Sequence, residues 1–450
     1  MPVPHELAAA CADTAAAGEA DSVGGCRARY VAAPASTQEA SALLRAAAML
    51  GLTVVPRGAG RLQHWGDPPD SCDLLVDTRR LDRVVEHRPG DLAVTVQAGV
   101  RLHDLDEALA PAHQHLALMP PFRAATGTIG GLIATNAAAG TRRYRYGRPG
   151  DLLTGITAVR ADGTIVRSGE FASAVTRQDL VTLFAGSYGT LGLITEASFR
   201  LHPLPQVFGG TWLPCTDPGH AERLLAEITS DSWLAPIGID LRWPAPDKPL
   251  GLIVTIEGDR QGFRERSDRL NAMAGRAPSP LPDPALARRP DAPDHGGLSP
   301  VASEEIRARR ERFDADLRTP PPDTGTLVRV SFPPGRLAAA LAAIQAAARR
   351  NAVTVAIEGP AGVLDVTVPA ESPAAAVARL VPDLRAELGR LGETGQAQGI
   401  PRAVVVYAPD EVRELTDTRG PVPSAALMEA VKDEFDPEHR MAPGRLADAA

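Results

Sequence analysis

The chain has 450 residues, with 47 Lys and Arg against 55 Asp and Glu, a net charge of -8. That acidic balance excludes a nucleic-acid reader, whose affinity rests on clustered basic side chains. Hydrophobic residues at 44% and charged residues at 23% exclude a disordered chain, and the length calls for two folding units, each with its own core.

The N-terminal stretch, Met1 to Ala20, has Glu6 and Asp13 but no basic n-region, so no signal peptide is expected. No apolar run approaches a membrane span, and the expectation is a cytoplasmic protein. A capped amphipathic helix is predicted over Thr37 to Met49, with Leu43, Leu44 and Met49 on its apolar face. Strands follow at Leu52 to Pro56, Leu74 to Asp77, Leu92 to Gln97, Ile156 to Arg160 and Thr164 to Val166, the last two joined by an Ala161-Asp162-Gly163 turn. Helices are expected at His103 to Leu109 and Gln178 to Leu183, so this first unit mixes strands and helices and ends near Pro203.

The second unit carries helix patterns at Gly219 to Ser230 and Gly335 to Asn351. Its strand patterns lie at Gly251 to Glu257, Thr326 to Phe332, Val353 to Glu358 and Val363 to Val368, and they predict a smaller sheet with helices packed on it. Prolines crowd residues 276–323, which reads as an irregular surface excursion. A last helix is predicted from Leu427 to Phe435, followed by an irregular tail.

Three glycine-rich clusters in the first unit are the candidates for chemistry. Pro56, Arg57, Gly58, Ala59, Gly60 and Arg61 follow directly on a strand, where exposed backbone N–H groups suit a pyrophosphate. Taken alone the segment is also a plain strand-to-loop turn, and Gln63 stands where a dinucleotide fingerprint needs its third glycine. The second cluster runs through Thr126, Gly127, Thr128, Ile129, Gly130, Gly131, Leu132, Ile133, Ala134, Thr135 and Asn136, with Gly140 and Arg145-Tyr146-Gly147 after it. Small residues there let a planar ligand lie against the backbone, and Thr and Asn offer neutral hydrogen bonds. Ala185-Gly186-Ser187-Tyr188-Gly189-Thr190-Leu191-Gly192-Leu193-Ile194-Thr195 repeats the theme.

The motifs P-R-G-x-G, T-I-G-G-x-I-A-T-N, R-Y-G and G-S-Y-G-T-L-G-L-I-T, in this order, resemble the FAD-binding domain of the vanillyl-alcohol oxidase / p-cresol methylhydroxylase (PCMH-type) family over residues 27–203. The resemblance implies an α+β fold: a two-subdomain FAD-binding domain at 27–203, an α+β cap domain at 204–420, and a C-terminal segment, 421–450, that returns to the FAD domain. It implies that the first glycine loop meets the pyrophosphate and that Thr126 to Asn136, Tyr146, Gly192 and Ile194 lie along the ribityl chain and flavin. The second half is similar to an FAD-binding subunit of bacterial glycolate oxidase, through Ile306-Arg307 with Phe313, Leu327 to Ser331, and Asp436-Pro437 with Ala442-Pro443-Gly444-Arg445-Leu446.

The chain departs from that family in three places. Arg61, not a histidine, follows Gly60, and the nearest histidine is His64, which implies non-covalent FAD. Thr176-Arg177-Gln178-Asp179-Leu180 replaces the A-G-Y-D-L usual in glycolate-oxidase-like chains, and the H-x-G-D-G-N stretch of related dehydrogenases is absent. Neither a metal ligand nor a catalytic base is therefore carried over. Among the histidines, His113 and His115 stand two apart, His202 precedes a proline and His295 falls in the Pro-rich excursion, so no metal-binding pair forms.

Cys11, Cys26, Cys72 and Cys215 lack a C-x-x-C pair, so any iron–sulfur cluster belongs to a partner. Arg329 is a candidate donor to a substrate carboxylate, although a solvated or ion-paired arginine is the more ordinary reading. The resemblance implies a flavoprotein oxidising a small 2-hydroxy acid such as glycolate or lactate, in a complex with a second FAD subunit and an iron–sulfur subunit. A stand-alone FAD-dependent dehydrogenase and a non-catalytic FAD-binding accessory subunit are the alternatives.

Overall fold

Apolar spacing and a capping side chain decide the first long helix, Thr37–Met49. In the computed structural model, which describes residues 2–118, 127–136, 142–169, 179–275, 325–333, 335–360, 362–392, 401–422 and 424–445, its cap is Ser36. The Ser36 hydroxyl accepts from the Glu39 N–H at 3.1 Å, and the Glu39 carboxylate accepts from the Ala35 N–H at 2.8 Å, a reciprocal cap on the first turn. Leu43 and Leu44 are fully buried, whereas Met49, expected on the apolar face, is 70% exposed at the C-terminal end of the helix.

The chain divides into two units. Unit 1 comprises Met1–Ala138, Gly147–Pro203 and Val422–Ala450; unit 2 comprises Ala139–Tyr146 and Leu204–Pro421.

Unit 1 holds two principal sheets among the described residues. The four-stranded sheet runs Thr14–Ala16, Tyr30–Ala32, Leu74–Asp77, Val54–Arg57, and its last three strands are parallel. The five-stranded sheet is antiparallel, in the order Ile165–Ser168, Leu153–Val159, Leu193–Arg200, Ala93–Gln97, Val84–Arg88. The predicted turn at Ala161-Asp162-Gly163 joins two of these strands, with Gly163 at φ +83°. A Cβ there would meet the Ser41 carbonyl oxygen at 2.7 Å, so the turn is pinned against the helix Thr37–Met49 by a glycine that nothing larger replaces.

The C-terminal segment closes the edge of the four-stranded sheet. Val54 N–H donates to the Arg440 carbonyl and Ala442 N–H donates to the Val54 carbonyl, both at 2.8 Å, and Met441 pairs in parallel with Val54. An edge strand that would otherwise present unpaired backbone groups is thereby covered. Asp436, fully buried, accepts from the Met441 N–H at 2.6 Å and from the Lys432 ammonium, which fixes the turn between the helix Ala425–Phe435 and this edge.

Unit 2 carries a seven-stranded antiparallel sheet among the described residues, wider than either sheet of unit 1 and not the smaller one expected. Its order is Val207–Cys215, Leu250–Gly258, Gly238–Trp243, Ala356–Pro360, Val363–Val368, Thr326–Ser331, Arg402–Tyr407. Alternate residues such as Ile239, Leu241, Leu252, Val254, Val328, Val330, Leu364 and Val366 form one core with the helices Pro218–Ser230, Arg260–Met273, Leu337–Arg350 and Ala374–Gly392. Three strands, Val207–Cys215, Gly238–Trp243 and Arg402–Tyr407, and the helices Arg260–Met273 and Ala374–Gly392 were not anticipated from the sequence. Arg260–Met273 is rich in charge, and Pro382 sits inside the other helix, so each lacks the usual periodic signal. The excursion 276–323, Ile306-Arg307, Phe313, His295, Gly140, Thr126, Thr176 to Gln178 and Leu446 lie outside the described residues.

Candidate functional site

The strand Val54–Arg57 buries Val54 and Val55 and then emerges into the first glycine loop. Arg57 turns its guanidinium away from the loop to Asp21 at 2.9 Å and Asp77 at 3.6 Å, so its charge anchors the strand end and is already neutralised. Gly60 is left-handed at φ +71°, and among the described residues the N–H groups of Ala59 and Gly60 make no backbone hydrogen bond. Arg61 is exposed.

The second cluster folds as the helix Ile129–Thr135, with Thr128 as its N-cap accepting from the Gly131 N–H at 3.4 Å. Thr135 spends its hydroxyl on the Gly131 carbonyl at 2.9 Å. Gly130 N–H donates to the Ala98 carbonyl at 2.7 Å, and a Cβ on Gly130 would stand 2.9 Å from the Ala98 Cβ, so only glycine lets the helix approach that closely. Asn136 ends the helix at φ +46°, and its Oδ1 accepts from the Gly150 N–H at 3.0 Å.

Backbone contacts join the third cluster to the first two. Gly186 N–H donates to the Ile133 carbonyl at 3.0 Å and Tyr188 N–H to the Ala134 carbonyl at 2.7 Å. A Cβ on Gly58 would stand 2.1 Å from Thr128 Oγ1, and one on Gly189 would stand 3.1 Å from Pro56 Cγ. Three segments far apart in sequence thus meet at positions that tolerate no side chain. Glycine-lined backbone of this kind, with uncommitted N–H groups at Ala59 and Gly60, fits a phosphate-bearing planar ligand.

Not every predicted residue joins this cradle. Gly192, at φ +151°, packs where a Cβ would meet the Val159 carbonyl oxygen at 2.6 Å, and Ile194 is a buried core residue paired with Ala158. Tyr146 belongs to unit 2, where its hydroxyl donates to Glu257 Oε1; burial first, and then the Glu257 charge, push the phenol above its ordinary range. Arg329 is engaged by Asp365 through two hydrogen bonds, at 2.7 and 2.9 Å, so of the two roles open to it the ion pair is the one observed.

Several supporting residues escaped sequence reasoning. Gln63 Nε2 donates to the Pro56 carbonyl at 2.9 Å, and Arg445 donates to Gln63 Oε1, the Gln63 carbonyl and the Trp65 carbonyl at 2.8, 3.0 and 2.7 Å. Tyr188 adopts φ +54°, with the Arg445 guanidinium 6.0 Å from its ring centroid. The G-S-Y-G and P-G-R motifs contained Tyr188 and Arg445, but Gln63 had no signal because its role depends on residue 445 folding back. All four cysteines are free thiols; burial pushes Cys72 up to about 12, far from thiolate reactivity. Among the described residues no group of three or more His, Cys, Asp or Glu is arranged to hold a metal, and no helix is long and apolar enough to cross a membrane.

Residues 28–169 match the family model described as FAD binding domain. Sequence relatives match about two fifths of the chain. An uncharacterized FAD-linked oxidoreductase of Mycobacterium tuberculosis is 36% identical over 175 residues, covering 39% of this chain and 38% of that protein. Glycolate oxidase subunit GlcD of Bacillus subtilis is 35% identical over 178 residues, 39% of this chain and 37% of that one. D-lactate dehydrogenase of Archaeoglobus fulgidus is 34% identical over 175 residues, 38% of each chain.

The chain thus spans less than two fifths of the length of these curated relatives. The fold extends further. A substrate-bound p-cresol methylhydroxylase structure superposes with a TM-score of 0.68 at 14% identity, over 98% of this chain and 95% of that one. An alkyldihydroxyacetonephosphate synthase superposes at 0.62 and 15% identity, over 93% and 76%.

Proposed function

We propose that this chain is an FAD-dependent oxidoreductase acting on the CH–OH group of a small 2-hydroxy acid, in the manner of an FAD-binding glycolate oxidase subunit. The observation that carries the reading is the meeting of Gly58, Thr128, Pro56 and Gly189 inside unit 1, whose residues 28–169 match an FAD binding domain. Relatives named for glycolate and D-lactate, 35% and 34% identical over 178 and 175 residues, support the substrate class.

In this reading residues 27–203 form the FAD domain, 204–420 the substrate domain and 421–450 the return segment. The loop Pro56 to Arg61 holds the pyrophosphate through backbone N–H groups, and Thr128 to Asn136 with Tyr188 flank the ribityl chain and flavin. FAD, held without a covalent link, supplies the two-electron redox chemistry. The protein's own part is to orient it, with Arg57 and Arg445 keeping the first loop in place through contacts that leave the backbone donors uncommitted. The partners this reading calls for are a second FAD subunit and an iron–sulfur subunit, which would take up the electrons in the cytoplasm.

The test is the visible spectrum of the purified chain under anaerobic conditions, before and after glycolate, D-lactate or L-lactate, followed by acid precipitation. Bleaching by one acid together with flavin release is the expected result. Releasable flavin that no acid bleaches favours an accessory subunit, and failure to take up FAD on reconstitution overturns the reading.

A further inference from the structure

The sheet of unit 2 has two unlike faces. Ile239, Leu241, Leu252, Val254 and Ile357 enter the helix-covered core. Their neighbours on the same strands, Asp240, Arg242, Thr255, Glu257 and Glu358, therefore point to the opposite face. Asp240 lies opposite Ile253 and Gly238 opposite Thr255, which makes Asp240 and Thr255 diagonal neighbours on that face. The short helix Arg143–Tyr146 lies along this strand, with Arg145 N–H donating to the Ile237 carbonyl at 3.1 Å and Tyr146 reaching Glu257.

Asp240 is 8% exposed and Thr255 1% exposed. Neither carboxylate oxygen of Asp240, nor the Thr255 hydroxyl, meets a hydrogen-bond partner among the described residues. Buried polar atoms are nearly always satisfied, so two orphaned side chains side by side point to a ligand. Their chemistry is complementary in one specific way. An ionised carboxylate only accepts, while a threonine hydroxyl both donates and accepts, so the group that satisfies the pair must donate to Asp240. An alcohol hydroxyl does this and can also accept from Thr255; a carboxylate or an ether, which only accepts, does not.

We propose that Asp240 and Thr255 form a subsite for the hydroxyl of a small hydroxylated ligand. The class of ligand rests on the reading of the chain as an FAD-dependent oxidoreductase. Burial, and then the nearby Glu358 charge, raise the Asp240 pKa to about 7 against the opposing pull of Arg143, so a hydroxyl bound there shifts a titration near neutrality. The other charged groups of the face are Glu257, whose carboxylate accepts from Tyr146 and whose carbonyl accepts from Arg266 at 2.9 Å, and Arg242, which stands opposite Glu358 in the strand register.

The experiment measures, on the FAD-loaded full chain, dissociation constants for glycolate and both lactates against their hydroxyl-free counterparts acetate and propionate. The wild type is expected to favour the hydroxy acid by about tenfold. Asp240→Asn and Thr255→Val each bring that ratio close to one while leaving acetate and propionate binding unchanged, and Asp240→Asn flattens the pH dependence of hydroxy-acid binding near neutrality. An unchanged ratio in both variants, with native circular dichroism, overturns the subsite.

Difference infrared spectroscopy of wild type against Asp240→Asn follows the carboxyl titration directly, with ethane-1,2-diol as a hydroxyl probe that carries no acid group. A titration shifted by the diol supports the subsite even when no hydroxy acid bleaches the flavin, a result that sinks the substrate reading alone. A titration unmoved by the acids and by the diol overturns the subsite.

Discussion

The two units use their sheets in opposite ways. In unit 1 the chemistry-bearing positions are glycines and small residues at the ends of strands, where backbone meets backbone and a single Cβ is too much. In unit 2 the distinctive positions are long polar side chains in mid-strand, on one face of a sheet whose other face is ordinary core. In the proposed reading a cofactor is gripped through backbone, whereas the hydroxyl of a ligand is distinguished by side chains. At these positions unit 1 is therefore sensitive to added volume, and unit 2 to changed polarity at Asp240 and Thr255.

That contrast breaks most sharply at Asp240. Its folded pKa, about 7, lies above the ordinary carboxylate value, so the folded state binds an extra proton between the two. Stability from this group is fully present below the ordinary value and is lost as pH rises through about 7. Asp240→Asn should remove that loss, on the order of 2–4 kcal/mol between acid and alkaline pH. Urea unfolding of both proteins at pH 5 and pH 8 checks it; equal slopes would place Asp240 in ordinary solvent.

Arg445→Ala removes three hydrogen bonds that hold Gln63 and Trp65, and should destabilise unit 1 by about 2–4 kcal/mol. Thermal unfolding then begins roughly 6–10 °C lower, with bound flavin lost ahead of the far-ultraviolet signal. Loss of flavin and fold together would mean that the return segment supports the whole unit and not the loop in particular.

Gly58→Val tests volume against polarity in the cradle. Its Cβ would stand 2.1 Å from Thr128 Oγ1, and the overpacking of about 1–3 kcal/mol should weaken FAD binding by roughly five- to a hundredfold. Flavin content per chain after gel filtration reads this out. Thr128→Ser, which keeps the cap and relieves crowding, should leave it unchanged.

The smallest expected effect is Tyr146→Phe, which removes one hydrogen bond to Glu257 and costs about 1 kcal/mol. Because the phenol is raised above its ordinary range, the wild type should also lose stability as pH climbs past that range, and the variant should not. A fall in flavin content in Tyr146→Phe would move this residue back to the cofactor.

Much of this molecule is legible in its sequence. The helix Thr37–Met49 and the strands Leu74–Asp77 and Val363–Val368 fall at the residues their periodicity marks, because amphipathic burial within one element is a local property. The three glycine clusters announce a cradle because close backbone approach demands glycine wherever it occurs. The seven-stranded breadth of unit 2 is not legible in the same way, since Val207–Cys215 interrupts its pattern with paired glycines and Arg402–Tyr407 is a single short run with no neighbour in sequence.

What local pattern determined by itself was the α+β character, the FAD-binding motifs and their order. Tertiary structure alone decided that Tyr146 joins Glu257, that Arg445 returns to Gln63, and that Asp240 and Thr255 share a buried face. The physical reason is range. Helix caps, turns and alternation depend on neighbours a few residues away, while a buried hydrogen bond or an orphaned carboxylate depends on which distant strands the sheet brings into register.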